Sequence, residues 1–285
     1  MDEPRLGFVG LGQLGGLVAR HLVGWPGGLV VCDLRAEAMK PFGDRGAIVV
    51  DDVEPLVAEG ASIVSVMVLD DDQVVDVVHR IFDAATRDTV VAIHSTIRPE
   101  TAEHLEAESA AHPVTILDAP VTGGPAGARA GTLAVMVGGA ESAVERCRGP
   151  FACFSERVVH FGPVGSATRA KIARNLITFA GYVAAGEAQR LAEAAGVDLV
   201  ELGEVVRYSD TITGGPGSIM LRDTSAPIAN ADPWFDVMQH TRDLGEKDLA
   251  LALGLADELG LDLPFTELAH ELLGDALGVP HEEDL

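Results

Sequence analysis

Leu6-Gly7-Phe8-Val9-Gly10-Leu11-Gly12-Gln13-Leu14-Gly15 decides how the rest of this chain is read. Leu6 to Val9 make a short apolar strand, three glycines come next at G-x-G-x-x-G spacing, and Gly16 to Val23 reads as a helix ending at Gly24. Alone, that spacing is weak. Here it lies between a strand and a helix, and Leu29-Val30-Val31-Cys32-Asp33 adds a second buried strand closed by an acid about 20 residues beyond Gly10. In that setting Gly10 permits the tight turn, Gly12 lets a pyrophosphate approach the backbone, and Gly15 lets the helix pack on the strand. The helix N-terminus faces the phosphates. Gly10, Leu11, Gly12, Gln13, Leu14 and Gly15 thus form the phosphate end of a candidate dinucleotide site.

Asp33 is placed to accept hydrogen bonds from ribose hydroxyls and to repel a 2′-phosphate, which favours NAD. Arg35, just past Leu34, is placed to greet that phosphate, so NADP stays open.

The alternation of strand and helix continues. Ala47 to Val50 and Ser62 to Val68 read as strands, with a helix from Val53 to Glu59 between them. Asp70-Asp71-Asp72 precedes a helix from Gln73 to Ala84. Three acids in a row invite a metal, but acids at a helix N-terminus are favoured by capping and by the dipole, so no metal is assigned. Thr89 to Ile93 is the next strand; His94-Ser95-Thr96 comes after it, and Pro99 opens a helix. Strand ends on this side of a parallel sheet line the ligand crevice, so Ser95 and Thr96 serve as ligand contacts or as helix caps. Ile116-Leu117-Asp118-Ala119-Pro120-Val121-Thr122-Gly123-Gly124-Pro125 carries a hydroxyl and two glycines near its end. Consecutive N–H groups there make a nest suited to a carboxylate, although a plain loop is also rich in Gly and Pro. A hairpin-like Gly131 to Gly139 and a strand from Val158 to Phe161 complete the sheet.

From Gly162-Pro163-Val164-Gly165 onward the pattern is helical. Ser166 or Thr168 can cap the next helix, and the proline-free stretch from about Ala167 to Ala195 predicts one helix of roughly 25–30 residues. Lys171 and Asn175, four apart, share a face and can work on one ligand; a solvated surface lysine is the ordinary alternative. Helical patterns return at Leu199 to Val206, Phe235 to Gly260 and Phe265 to Leu277. Thr211 to Asp232 reads as irregular, wrapping the active site or a subunit contact, and the tail His281 to Leu285 as frayed.

At 285 residues the chain is long enough for two domains. It is 47% hydrophobic, yet no apolar run reaches the ~18 residues of a membrane span. A first strand at Leu6 leaves no room for a signal peptide. Cys32, Cys147 and Cys153, an odd count without C-x-x-C spacing, point to reduced thiols in the cytoplasm. A formal charge of −24 argues against nucleic acid and anionic membrane as partners. An anionic substrate must then be met by local cations or backbone N–H groups.

Taken in order, Gly10–Gly15, His94-Ser95-Thr96-Ile97-Arg98-Pro99, Asp118–Gly124, Gly162–Asn175 and Glu246-Lys247-Asp248-Leu249 resemble the β-hydroxyacid dehydrogenases. The 3-hydroxyisobutyrate dehydrogenases and tartronate semialdehyde reductases are the nearest types, and the resemblance covers nearly the whole chain. It implies an α/β Rossmann domain over residues 1–162 and an all-α C-terminal domain over 163–285. The two would be joined by a long helix at about 167–195, in a homodimer or homotetramer. It implies Lys171 as the catalytic lysine with Asn175 as helper, and Thr122, Gly123 and Gly124 on the substrate carboxylate. Val68, Leu69, Asp70 and Thr96 would lie along the cofactor with Asp33, Leu34 and Arg35, and Lys247 would reach it from the C-terminal domain.

The implied reaction is hydride transfer between a nicotinamide cofactor and a short 3-hydroxy acid or its semialdehyde. Thr122 stands where the family usually has Ser, Arg174 where Asn is common, Ala167 where Gly is common, and Asp70 where Pro is common. His240 stands where Phe often meets the substrate. With His94, it would turn the pocket toward a more polar or acidic substrate if either ring lines it. An NADPH-dependent glyoxylate or succinic semialdehyde reductase is the alternative enzyme, and a catalytically silent dinucleotide-binding module the alternative of another class. 6-Phosphogluconate dehydrogenase needs a larger helical domain, and imine reductases normally lack the lysine.

Overall fold

The structure, a computed structural model, describes residues 3–220, 222 and 224–281. The chain runs β1 (Leu6–Val9), α1 (Gly15–Ala19), β2 (Leu29–Cys32), α2 (Ala36–Gly43), β3 (Ile48–Val50), α3 (Val53–Ala58) and β4 (Ile63–Val66). It continues with α4 (Asp71–Ala84), β5 (Thr89–Ile93), α5 (Pro99–Ser109), β6 (Val114–Asp118), β7 (Val121–Thr122), α6 (Gly124–Ala130), β8 (Leu133–Gly138), α7 (Glu141–Ala152) and β9 (Ser155–Gly162). The helices α8 (Ser166–Ala194), α9 (Leu199–Thr213), α10 (Phe235–Leu259) and α11 (Pro264–Leu277) complete it. Spatially the chain divides into residues 1–175 and 176–285, so the boundary falls inside α8.

In the first unit, β3-β2-β1-β4-β5-β6 form a parallel sheet in the doubly wound order. Strand side chains alternate between two cores, as period-2 geometry dictates. Phe8 and Val31 point to the face covered by α1, α2 and α7; Val9 and Val30 point to the face covered by α3, α4 and α5. The chain reverses sheet position between β1 and β4, so a crevice opens beyond their C-terminal ends.

In this unit the structure departs from the reading of the sequence. Gly131 to Gly139 is no hairpin: β8 pairs antiparallel with β7 and parallel with β9, and α6 fills the connection. Gly124-Pro125 opens that helix and Gly131, at φ 74°, ends it. The helix α7, unassigned from sequence, buries Ala143, Val144, Cys147 and Phe151 at helical spacing. The first helix is also short, with five α-helical residues and then a 3₁₀ turn at Arg20–Leu22.

In the second unit, α10 and α11 pack around a small core of Ile228, Met238, Leu277 and Val279. Glu187 of α8 is 4% exposed. It accepts bonds from the Phe265 and Thr266 amides at 2.9 and 2.8 Å and from the Thr266 hydroxyl at 2.6 Å. That carboxylate caps α11, whose Pro264 takes the first position and needs no partner of its own. Burial works against the charge, but these donors and Arg190 hold Glu187 below the usual carboxylate range. The irregular segment expected over 211–232 begins only after α9 reaches Thr213 and a 3₁₀ turn spans Gly215–Ile219. The end of the tail expected to fray, residues 282–285, lies outside the described residues.

Candidate active site

A cavity of about 1000 Å³ lies within the first unit, beyond the ends of β1, β2 and β4. Gly10, Gly12, Gln13, Leu14 and Gly15 form one wall. Gly10 has φ 94°, and a Cβ there would meet the Met67 carbonyl oxygen at 2.3 Å, so no other residue lets the β1 and β4 loops come so close. A Cβ on Gly12 would point into open space. The loop therefore fits a ligand that lies against backbone, as a pyrophosphate does.

At the far end Asp33 receives the Leu11 amide at 2.6 Å on one oxygen, and the Arg35 amide at 2.9 Å and guanidinium at 3.2 Å on the other. Burial raises its pKa, but the Arg35 and Leu11 amides and the guanidinium outweigh it and keep Asp33 below the ordinary carboxylate value. Leu34 is fully exposed and Leu69 is 82% exposed, both on the cavity wall. Arg80, which carries no sequence motif, also lines the cavity and pairs with Asp52 and Glu54. Cys32 at the floor is pushed up to about 11, by burial first and then by Asp52.

Val68, Ser95 and Thr96 line the middle. The Ser95 hydroxyl donates to the Val68 carbonyl at 2.7 Å and accepts from the Val68 amide at 2.9 Å, so it splices the β4 loop to the β5 end. Gln73 holds the same loop by accepting from the Leu69 amide at 3.1 Å, while Asp70 caps α4 by accepting from the Gln73 amide at 2.9 Å. Helix α5 is entered from Arg98, so neither Ser95 nor Thr96 caps it. His94 reaches the wall with 3% exposure. One ring nitrogen meets the Ala119 carbonyl at 2.7 Å, the other the Ser65 hydroxyl at 3.0 Å, and the ring packs among Phe8, Phe151 and Phe154. Burial pushes it down to about 4, which makes it a neutral core histidine.

Lys171 and Val121 close the cavity at the other end. Lys171 is 9% exposed, and its Nζ donates to the Val121 carbonyl at 2.7 Å. Burial, and secondarily the Arg174 cation, lowers its pKa from the ordinary lysine value. Thr122, Gly123 and Gly124 come directly after Val121, just outside the cavity wall. The Thr122 Oγ1 is buried with no hydrogen-bond partner, alone in this among the described residues. Gly123 sits at φ 128°, a value only glycine takes readily. A buried hydroxyl without a partner is costly unless a ligand completes it. Asn175 lies one turn past Lys171, half-buried, its side-chain oxygen 3.5 Å from the Arg174 guanidinium.

His240 and Lys247 sit on α10 in the second unit, both exposed, with Lys247 paired to Asp248 at 3.0 Å. No group of three or more His, Cys, Asp or Glu among the described residues could hold a metal.

Residues 5–162 match the NAD-binding domain of 6-phosphogluconate dehydrogenase, and residues 165–284 the NAD-binding region of NADP-dependent 3-hydroxyisobutyrate dehydrogenase. An uncharacterized oxidoreductase of Mycobacterium tuberculosis is 50% identical over 99% of this chain and 96% of its own length. A crystal structure of a Mycobacterium avium 104 protein, provisionally assigned as an oxidoreductase, is 46% identical and superposes with a TM-score of 0.92 over 97% of this chain and 99% of that one. The M. tuberculosis 3-hydroxyisobutyrate dehydrogenase solved with L-serine is 29% identical, with a TM-score of 0.66 over 95% and 92% of the two chains. The fold and the glycine-walled cavity define an oxidoreductase that uses a nicotinamide dinucleotide. Within that class, the chain belongs to the β-hydroxyacid dehydrogenase family.

Proposed function

We propose that the protein catalyses reversible oxidation of a short 3-hydroxy acid to its semialdehyde, with Lys171 as general acid and base. The observation that carries this is Lys171 itself: a buried amine of lowered pKa, set at the cavity end and held by the Val121 carbonyl. A bound nicotinamide ring supplies or accepts the hydride. In oxidation neutral Lys171 takes the hydroxyl proton, and in reduction its ammonium returns it. Thr122 Oγ1 and the Gly123 and Gly124 amides hold the substrate carboxylate, and Asn175 steadies the lysine or the reacting oxygen. Ser95 and His240 complete the substrate side. Gly10, Leu11, Gly12, Gln13, Leu14 and Gly15 hold the pyrophosphate; Asp33, Leu34 and Arg35 hold the adenosine end; Val68, Leu69, Asp70, Thr96 and Lys247 complete the cofactor site. L-Serine, present in the related M. tuberculosis enzyme, is itself a 3-hydroxy acid and supports this substrate class.

In this reading the Rossmann domain spans 1–162 and the substrate and oligomerisation domain 163–285, the first turns of α8 to Asn175 grouping by contact with the former. The protein acts as a homodimer or homotetramer. Helix α9 buries none of its residues, and Phe179, Tyr182, Val200, Tyr208 and Ile212 are each more than 60% exposed. So many large apolar and aromatic side chains in water mark a surface that a subunit contact would cover. Three free cysteines fit a reducing cytoplasm.

The test is nicotinamide absorbance with a panel of short 3-hydroxy acids, run with NAD and NADP in parallel. Turnover of one acid, abolished in Lys171→Met, supports the reading. A Lys171→Met enzyme with near-normal turnover overturns it, and bound cofactor without turnover of any acid points to the silent binding module.

A further inference from the structure

Asp118 is the last residue of β6 and is fully buried. One carboxylate oxygen accepts from the Gly165 amide at 2.9 Å; the other accepts from the Thr168 amide at 2.7 Å and the Thr168 hydroxyl at 2.9 Å. The cap on the first turn of α8 thus comes from a strand 50 residues before Thr168, and Thr168, read from sequence as a cap, is itself a donor to it. The sheet keeps room for this carboxylate: a Cβ on Gly138, paired opposite in β8, would lie 2.2 Å from an Asp118 oxygen.

The same two segments are joined again one turn on, where Lys171 Nζ reaches the Val121 carbonyl. Asp118 and Val121 are three residues apart on one segment, as Thr168 and Lys171 are on the other. Thr122, Gly123 and Gly124 continue the first segment. Hydrogen bonds to a carboxylate are stronger than neutral ones and are directional, so Asp118 fixes both where α8 begins and how it is rotated.

We propose that Asp118 is a positioning residue for Lys171, setting its Nζ against the Thr122-Gly123-Gly124 cradle through the first turn of α8. This rests on the reading of Lys171 as the acid–base group, and nothing in it requires Asp118 to touch substrate or cofactor. Asp118→Asn isolates the effect, because an amide keeps the shape but turns two N–H donors toward a pocket that already presents donors from Gly165 and Thr168. The charged group that presses on Lys171 is Arg174, on α8 itself.

The experiment compares wild type, Asp118→Asn, Thr168→Val and Lys171→Met in three measurements. These are the NAD dissociation constant, the pH profile of kcat, and the pH-dependent acetylation of Lys171 followed by mass spectrometry. The last reads the lysine directly, without catalysis. Expected are NAD binding within about 2-fold of wild type, kcat lower by about 10-fold or more in Asp118→Asn, and a Lys171 titration displaced toward that of a solvated lysine. Thr168→Val should move each readout the same way by less, and serves if Asp118→Asn does not fold. An unchanged Lys171 titration in a folded Asp118→Asn or Thr168→Val protein overturns the proposal. Turnover surviving in Lys171→Met would instead sink the acid–base reading, and the acetylation curve would still decide whether Asp118 positions the lysine.

Discussion

Asp33 binds Arg35 twice through one oxygen, by the Arg35 amide at 2.9 Å and by its guanidinium at 3.2 Å. The cation that sequence alone placed to meet a 2′-phosphate is therefore turned back onto the residue that would repel one. With the adenosine end placed as proposed, NADP must break that pair or leave its phosphate beside a carboxylate. Asp33→Ala should raise KM for NAD by about 10-fold or more and shift the balance toward NADP, measured as the ratio of kcat/KM for the two cofactors. A ratio unchanged by the substitution would place discrimination elsewhere.

In the proposed mechanism Lys171 must shed its proton before it can accept one from a hydroxyl. Its lowered pKa means that kcat for oxidation should rise with pH through a midpoint below the ordinary lysine value of 10.5. Arg174 is a like charge and contributes to the lowering, so Arg174→Gln should move that midpoint upward. Lys171→Met should cost at least ~10² in turnover with cofactor binding retained. Pre-steady-state rates across pH would check both statements.

His94 predicts an acid weakness in the nucleotide-binding unit. Its folded pKa of about 4 lies below the unfolded value of 6.5, so between these limits the unfolded chain binds a proton that the folded one refuses. Above pH 6.5 the group contributes nothing to the pH dependence. As pH falls from there toward 4, stability should drop by up to ~1.4 kcal/mol per unit. Urea unfolding of wild type and His94→Asn at about pH 7 and about pH 5 would show it, since the variant should lose less between the two.

Glu187 is a second group whose stabilisation is lost in acid, here because its charged form is the one the fold holds. Its pKa is lowered in the fold, so its stabilisation is present above the unfolded carboxylate pKa and is lost as pH falls through the folded one. Glu187→Ala leaves the Phe265 and Thr266 amides without their acceptor and should cost about 1–2 kcal/mol at neutral pH. Thermal unfolding at neutral pH should reveal that difference, and it should shrink in strong acid.

The exposed face of α8 and α9 predicts self-association. Tyr208→Asp or Phe179→Asp should lower the molar mass measured by sedimentation, because a charge in a buried apolar contact is strongly disfavoured. A wild-type protein that sediments as a monomer would remove the oligomer from the proposal.

What could be read from sequence depended on how local the signal was. The glycine loop, β2 and Asp33 lie within one βαβ unit, and their spacing carries their meaning. The one-turn spacing of Lys171 and Asn175 is just as local, and the structure puts Lys171 on the cavity wall. Asp118 was visible as a residue but not as a cap, because its partners Gly165 and Thr168 lie on another element far along the chain. Helix α6 was hidden by Gly124, Pro125 and Gly127, which read as loop until Gly124-Pro125 is recognised as a helix start. His94 and Ser95 looked like active-site neighbours since both come just after β5. Ser65 and the Ala119 carbonyl claim the ring of the first, while the second lines the cavity and also ties to the Val68 backbone.

The wall of the cavity carries Asp33, Asp51, Asp52, Asp72 and Asp76 against Arg35 and Arg80, with Lys171 at the other end. On a chain of net charge −24, that makes the adenosine end of the cavity an unfavourable approach for a dinucleotide bearing a pyrophosphate. Capture should therefore run uphill electrostatically and be won by contacts formed after arrival. Added salt, which slows most charge-steered encounters, should quicken this one until the repulsion is screened.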